Sequence, residues 1–186
     1  MTGKAGKSKS RAKRADKADA RDEVSWALQE WQRPPGAQEA AKVAFVNEKM
    51  EVWSAYRRGT EALDFPGGKA EEEETPVENA VREVQEEVQL STDPSYFLGL
   101  SDSDLGPSVR FHMALDDYPP VTVTLFVFFW PDNKELVLTA EGEREMTQPA
   151  WRKLDDVIEN LETSRTPPRE GRNYARALRK LLARND

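Results

Sequence analysis

The chain has 186 residues, 27 Lys and Arg against 34 Asp and Glu, a net charge of −7, no cysteine and one histidine, His112. That length suits one domain with appendages and a sizeable core. The lack of cysteine excludes disulfide and thiol chemistry, and a single histidine excludes a His-rich zinc site. The charge is split: residues 1–22 hold eight Lys or Arg against three Asp, about +5, which leaves about −12 on the rest. No apolar run reaches membrane-spanning length, and no hydrophobic signal region opens the chain. An intracellular setting is therefore expected, cytoplasmic or, through the basic cluster between Lys9 and Arg14, nuclear.

Residues 1–21 are rich in Lys, Arg, Ala and Ser and show no apolar periodicity, the composition of a disordered tail. Such a tail could contact RNA or another polyanion through phosphate electrostatics. Residues 22–37 are expected to form a short helix, with Val24, Ala27, Leu28 and Trp31 on one face, and a linker broken by Pro34, Pro35 and Gly36. The main domain is expected over residues 38–186. It opens with a predicted strand pair, 42–47 and 51–58, joined by Glu48 and Lys49. Leu63, Asp64 and Phe65 lead into Pro66-Gly67-Gly68-Lys69, a loop whose backbone is free to approach a ligand closely. Thr75-Pro76-Val77-Glu78 is a capping box with Pro at the first helical position, so a helix is predicted over 76–88. Val77, Ala80, Val81, Val84 and Val88 share its core face. Strands are then predicted over 96–100, 109–115 and 121–130, with a turn at 116–120. Glu141, Glu143 and Glu145 are expected to lie in a polar loop, mobile at Gly142, before a short strand at 151–154. Helices over 155–161 and 173–183 close the chain, the last with Tyr174, Ala177, Leu178 and Leu181 on its apolar face.

On the helix over 76–88, Glu83, Glu86 and Glu87 lie on another face, three and four residues apart. Clustered carboxylates repel one another, and a half-buried cluster needs cations. Hard oxygen donors suit Mg²⁺ or Mn²⁺ rather than zinc. Arg82 is placed to pair with Glu86 or Glu78 and steady the cluster. A solvated acidic helix has the same bare spacing; what sets this one apart is the frame around it. Residues 68–90 fit Gly-x5-Glu-x7-Arg-Glu-U-x-Glu-Glu-x-Gly-U, where U is a bulky aliphatic, at Gly68, Glu74, Arg82, Glu83, Val84, Glu86, Glu87 and Leu90. Gln89 stands where the pattern has Gly. A glycine there supplies a left-handed residue past the helix end, so Gln89 is expected to cost about 1 kcal/mol or shift the turn, while removing no ligand.

This stretch resembles the Nudix box, the signature of Nudix hydrolases, and the order of predicted elements is similar to that fold from about residue 38 onward. The resemblance implies an α/β fold, a mixed β-sheet sandwiched between helices. It implies that Glu83, Glu86 and Glu87 bind Mg²⁺ or Mn²⁺ together with the carbonyl of Gly67, while Gly68, Glu74 and Arg82 shape the motif. The implied reaction is hydrolysis of a pyrophosphate linkage in a nucleoside diphosphate joined to another moiety. A later glutamate often serves as base or added ligand, and Glu141, Glu143 and Glu145 are the candidates. Glu145 is preferred, because Glu145 to Trp151 fits the Glu-x5-Trp spacing of dinucleoside polyphosphate hydrolases and RNA 5′-pyrophosphohydrolases. The implied substrate is then a (di)nucleoside polyphosphate or an RNA 5′ end. Without Glu145, water activation would fall to Glu83 or Glu86. Arg57, Arg58 and Lys69 are candidates for holding phosphates. Trp53, Phe111 and Tyr174 are candidates for stacking on a base or, more simply, for core, and His112 for packing. The alternative is a catalytically silent Nudix-fold module that binds RNA or regulates a partner.

Overall fold

The computed structural model describes residues 37–90, 108–115, 118–130, 135–164 and 168–183, all within one compact unit, Pro34–Asp186. The expected basic tail, the helix after Asp22 and the strand over 96–100 lie outside the described residues.

β1 (Gln38–Val46) is the spine of the sheet. It pairs in parallel with β6 (Tyr118–Phe129) along its whole length, from Gln38 opposite Val121 to Val46 opposite Phe129. A parallel pair is covered on both faces, which the nearly continuous apolar run after Glu39 allows. On its other edge β1 divides. Phe45 and Val46 pair antiparallel with Trp53 and Val52 of β2 (Glu51–Arg57). Further back, the N–H groups of Ala41 and Val43 donate to the carbonyls of Gly68 (3.0 Å) and Pro66 (2.9 Å), so the glycine loop takes the place of β2 beside β1. β2 turns away to pair with β3 (Leu63–Asp64) and β8 (Met146–Lys153). The main sheet runs β3-β2-β1-β6-β5, with β5 (Ser108–Leu115) antiparallel to β6. β4 (Val88–Leu90) and β7 (Leu136–Leu138) form a separate two-stranded ribbon.

α1 (Pro76–Glu87) covers one face. Its capping box forms as the sequence predicts: the Glu78 N–H donates to Thr75 Oγ1 at 3.2 Å and the Thr75 N–H to Glu78 Oε2 at 2.8 Å. Such a cap is worth about 1 kcal/mol. Ala80, Val84 and Val88 are buried against Ala41, Val43 and Phe45. Phe45 meets Trp53, Phe128 and Trp130 edge-on, with centroids 6.4, 6.0 and 5.6 Å away. The opposite face lies under α4 (Pro168–Leu182), whose Tyr174 meets Phe111 edge-on at 5.2 Å and Phe65 at 6.2 Å. Phe111 stands opposite Val123, and Val123 opposite Ala40, so these belong to the face that α1 does not cover. α3 (Leu154–Ser164) packs on α4 and on the β2, β3 and β8 edge. A mixed sheet between helices is the α/β/α arrangement expected. Among the described residues, no helix is long and apolar enough to cross a membrane.

Some expectations need correction. β6 begins at Tyr118, so Pro119 and Pro120 lie in a strand rather than in the predicted turn. They sit where the register with β5 slips between Met113 and Leu115, an irregularity that tolerates residues without an N–H. β8 begins at Met146 rather than 151, because Arg57 and Tyr56 pair with Met146 and Thr147. The stretch expected to be a loop holds a single-turn helix, α2 (Gly142–Glu145), in which Gly142 is buried. Gln89 lies in β4 opposite Val137 and has no left-handed φ. Val88 leaves the helix already extended, at φ −125° and ψ 121°, so the expected cost at Gln89 does not arise.

Candidate active site

Two glycines bring the loop against its neighbours. Gly67 has φ +134°, which side chains disfavour, and a Cβ there would stand 2.1 Å from the Ala41 carbonyl oxygen. A Cβ on Gly68 would stand 2.5 Å from Glu83 Oε1, so its bareness lets that carboxylate rest on the loop. Asn79, fully buried on α1, donates from Nδ2 to the Gly68 carbonyl at 3.1 Å. Arg82 ties loop to helix. Its Nε donates to Glu74 Oε1 at 2.8 Å, its Nη1 reaches Glu83 and Glu86 at 3.1 Å each, and its Nη2 donates to the Lys69 carbonyl at 3.1 Å. Glu78, the other partner considered for Arg82, is engaged in the capping box instead. The bond from Arg82 holds the Glu74 carboxyl below its ordinary range. The same bond, with Glu83 and Glu86 beside it, holds the guanidinium above its own.

Beside the loop lies a cavity of about 490 Å³. Glu83, Glu87 and Glu145 line its acidic part, with Arg57 and Lys69 also in the wall, and Phe65, Met113, Val123 and Tyr174 form its apolar part. Glu87 is 5 % exposed, and its Oε2 accepts the Gly67 N–H at 2.8 Å. Burial pushes the Glu87 carboxyl up to about 7, against the pull of Lys42 and the Gly67 N–H. Burial raises Glu83 as well, outweighing Arg82. Lys42 is a cation built into this wall. Its Nζ donates to the carbonyls of Phe65 and Gly67 at 3.0 Å each and pairs with Asp64 Oδ1 at 2.9 Å. Arg57 approaches the other Asp64 oxygen at 3.4 Å.

Of the residues singled out from the sequence, Gly67, Gly68, Glu83, Glu87, Glu145, Arg57 and Lys69 meet around this cavity. Glu86 does not: its side chain is 49 % exposed and paired with Arg82. Arg58 also lies outside the wall, its guanidinium on the Glu143 carbonyl. Glu141 pairs with Arg144, and Glu143 is exposed. Trp53 and Phe111 are core; Tyr174 is buried yet reaches the cavity. His112 Nδ1 lies 2.8 Å from Thr122 Oγ1 within the sheet. Among the described residues, no three acidic or histidine side chains already converge on one point. The donors are nonetheless hard oxygens, and two of them are carboxyls raised by desolvation, a state that a bound cation relieves. Glu83 and Glu87 are donors of the kind a divalent ion takes, while Glu86 stands on Arg82 and the Gly67 carbonyl accepts from Lys42. Lys42, Asp64 and Asn79 were not singled out from the sequence. The one signal for Lys42 is a lone charge inside the apolar run 40–46.

The NUDIX domain family profile matches residues 36–173. Three solved structures are similar. The Ap4A hydrolase of C. elegans has a TM-score of 0.54 at 14% identity, over 81% of this chain and 99% of that one. The MutT protein from Methanosarcina mazei Go1 has a TM-score of 0.52 at 18% identity, over 83% and 99%. The E. coli dihydroneopterin triphosphate pyrophosphohydrolase has a TM-score of 0.51 at 20% identity, over 74% and 94%. At these identities the likeness is one of fold. No curated protein matches the chain by sequence. The chain belongs to the NUDIX domain family. It is a hydrolase of pyrophosphate bonds in nucleoside diphosphate derivatives, in a family that generally uses divalent metals.

Proposed function

We propose that, within this family, the chain cleaves a (di)nucleoside polyphosphate or an RNA 5′ end, in the cavity bounded by the glycine loop, α1 and α2. The observation that carries this reading is the two-sided lining of one cavity. Glu83, Glu87 and Glu145 with Arg57 and Lys69 suit a metal-bound polyphosphate, and Phe65, Met113, Val123 and Tyr174 offer a dry wall to a flat base. Glu83, Glu86 and Glu87, with the Gly67 carbonyl, would hold Mg²⁺ or Mn²⁺. When bound, the ion supplies neutralisation of the departing phosphate and a lowered water pKa. The chain's own groups do the rest. Arg57 and Lys69 hold phosphate oxygens, the apolar wall excludes water, and Glu145 accepts the proton of the attacking water or adds a ligand. The polyphosphate substrate class is supported by the resemblance of the Glu145-x5-Trp151 spacing to that of dinucleoside polyphosphate hydrolases and RNA 5′-pyrophosphohydrolases, and the Ap4A named for the C. elegans neighbour is a dinucleoside polyphosphate to try first.

The test is a substrate panel: purified protein with Mg²⁺ or Mn²⁺ against diadenosine tetraphosphate, a deoxynucleoside triphosphate, ADP-ribose and 5′-triphosphate RNA. Preferred turnover of the dinucleotide or the RNA supports the substrate class. Turnover confined to ADP-ribose overturns it, and binding of RNA with no turnover of any substrate favours the silent module.

A further inference from the structure

Glu145 is the last residue of α2, and groups outside α2 set its place. On the N-terminal side, the Thr139 hydroxyl donates to the Glu86 carbonyl, and the Thr139 N–H donates to the Glu87 carbonyl at 3.0 Å. The Gly142 N–H donates back to Thr139 Oγ1 at 3.0 Å. Gly142 lies so close to the end of α1 that a Cβ would stand 2.1 Å from the Glu87 carbonyl oxygen. On the C-terminal side, the backbone N–H of Arg58 donates to the Glu145 carbonyl at 2.7 Å. The Arg58 guanidinium donates from Nε to the Glu143 carbonyl at 2.9 Å and places Nη2 on the same oxygen. The last carbonyls of a helix have no partner within it, and in a single turn that is most of them. Arg58 satisfies two of those carbonyls. Glu145 is thereby slung between the end of the metal-site helix and the end of β2, facing the cavity that Glu83 and Glu87 share.

We propose that Arg58, with the seat formed by Thr139 and Gly142, is a positioning device for the Glu145 carboxylate, and that Arg58 serves the reaction without touching substrate. This rests on Glu145 acting as base or added ligand. Misplacing a reacting group by about 1 Å can cost a hundredfold in rate, and α2 has too few internal bonds to hold itself.

The experiment compares Arg58→Ala, Arg58→Lys, Gly142→Ala, Glu145→Gln and the double variant Arg58→Ala/Glu145→Gln, with Arg144→Ala as a control on the same helix. Kinetics use the fastest-cleaved of the four panel substrates, and amide exchange is followed over residues 139–146. Arg58→Ala and Gly142→Ala should each lower kcat by at least about tenfold with KM nearly unchanged, as for a group displaced from the transition state. Arg58→Lys, which keeps a donor for the Glu143 carbonyl, should recover part of that loss. In the double variant Arg58→Ala should add nothing to Glu145→Gln, and the amides of 143–146 should exchange faster in Arg58→Ala. Arg144→Ala should match wild type. If Glu145→Gln is crippled while Arg58→Ala keeps wild-type kcat, the positioning role is wrong and the role of Glu145 stands. If Glu145→Gln keeps wild-type kcat, both fall. A rise in KM at constant kcat in Arg58→Ala would place Arg58 on the substrate and overturn the proposal.

Discussion

Glu86 and Glu87 are adjacent in sequence and opposite in environment. Glu86 stands half in water against Arg82, while Glu87 is buried under the Gly67 N–H. Both belong to the proposed metal set, so Glu86→Gln and Glu87→Gln should each lower kcat by at least roughly a hundredfold, the loss common for a charge-stabilising group. Steady-state kinetics with and without EDTA check this, and full activity in excess EDTA would sink the metal requirement. The folded Glu87 carboxyl is raised from 4.5 to about 7, so the fold favours its protonated form. Its stabilising contribution is complete below about 4.5 and is lost as pH rises toward about 7. In metal-free protein, Tm should fall across that window. Glu87→Gln should flatten the fall. Thermal melts at several pH values in EDTA decide it: equal slopes for wild type and Glu87→Gln would refute the burial argument.

Among the elements, those whose cause is local were legible in the sequence. α1 starts where its capping box says and buries the face its valines and Ala80 mark, because both signals lie within the one short segment from Thr75 to Val88. α2 and the β4–β7 ribbon were not, because three- or four-residue elements carry no periodicity and exist only through partners, here Arg58, Thr139 and each other. The role of Lys42 was hidden for a related reason. It depends on the glycine loop replacing β2 beside β1, a pairing that no local pattern announces. The same contrast sets two expectations. Gly67→Ala combines a φ of +134° with a Cβ against the Ala41 carbonyl, so it should destabilise by about 2 kcal/mol or more. Gln89→Gly, which restores the motif's glycine, should not stabilise; in a strand it should cost up to about 1 kcal/mol. Urea melts of both variants test this, and a more stable Gln89→Gly would mean that the helix end prefers a left-handed residue after all.

At the scale of the whole molecule the chain is divided by charge, with eight Lys or Arg and two Asp in residues 1–21 and an acidic remainder. The cavity draws its wall from residues between Ala40 and Tyr174, and the family profile begins at residue 36. The composition of the first 21 residues offers no apolar face to bury. Deleting residues 1–21 should therefore leave the melting transition and the turnover of diadenosine tetraphosphate unchanged. A long polyanion is different. Its phosphates would be attracted to the basic segment and repelled by the acidic domain, so the truncated chain should show a higher KM for 5′-triphosphate RNA. For each phosphate that the truncated chain no longer neutralises, the slope of log affinity against log salt should flatten by about 0.7. The two substrates separate the possibilities. Loss of turnover on both would mean that the segment supports the fold. An unchanged KM and salt slope on RNA would mean that the basic charges do not meet the substrate, and that the acidic domain binds an RNA 5′ end through the cavity alone.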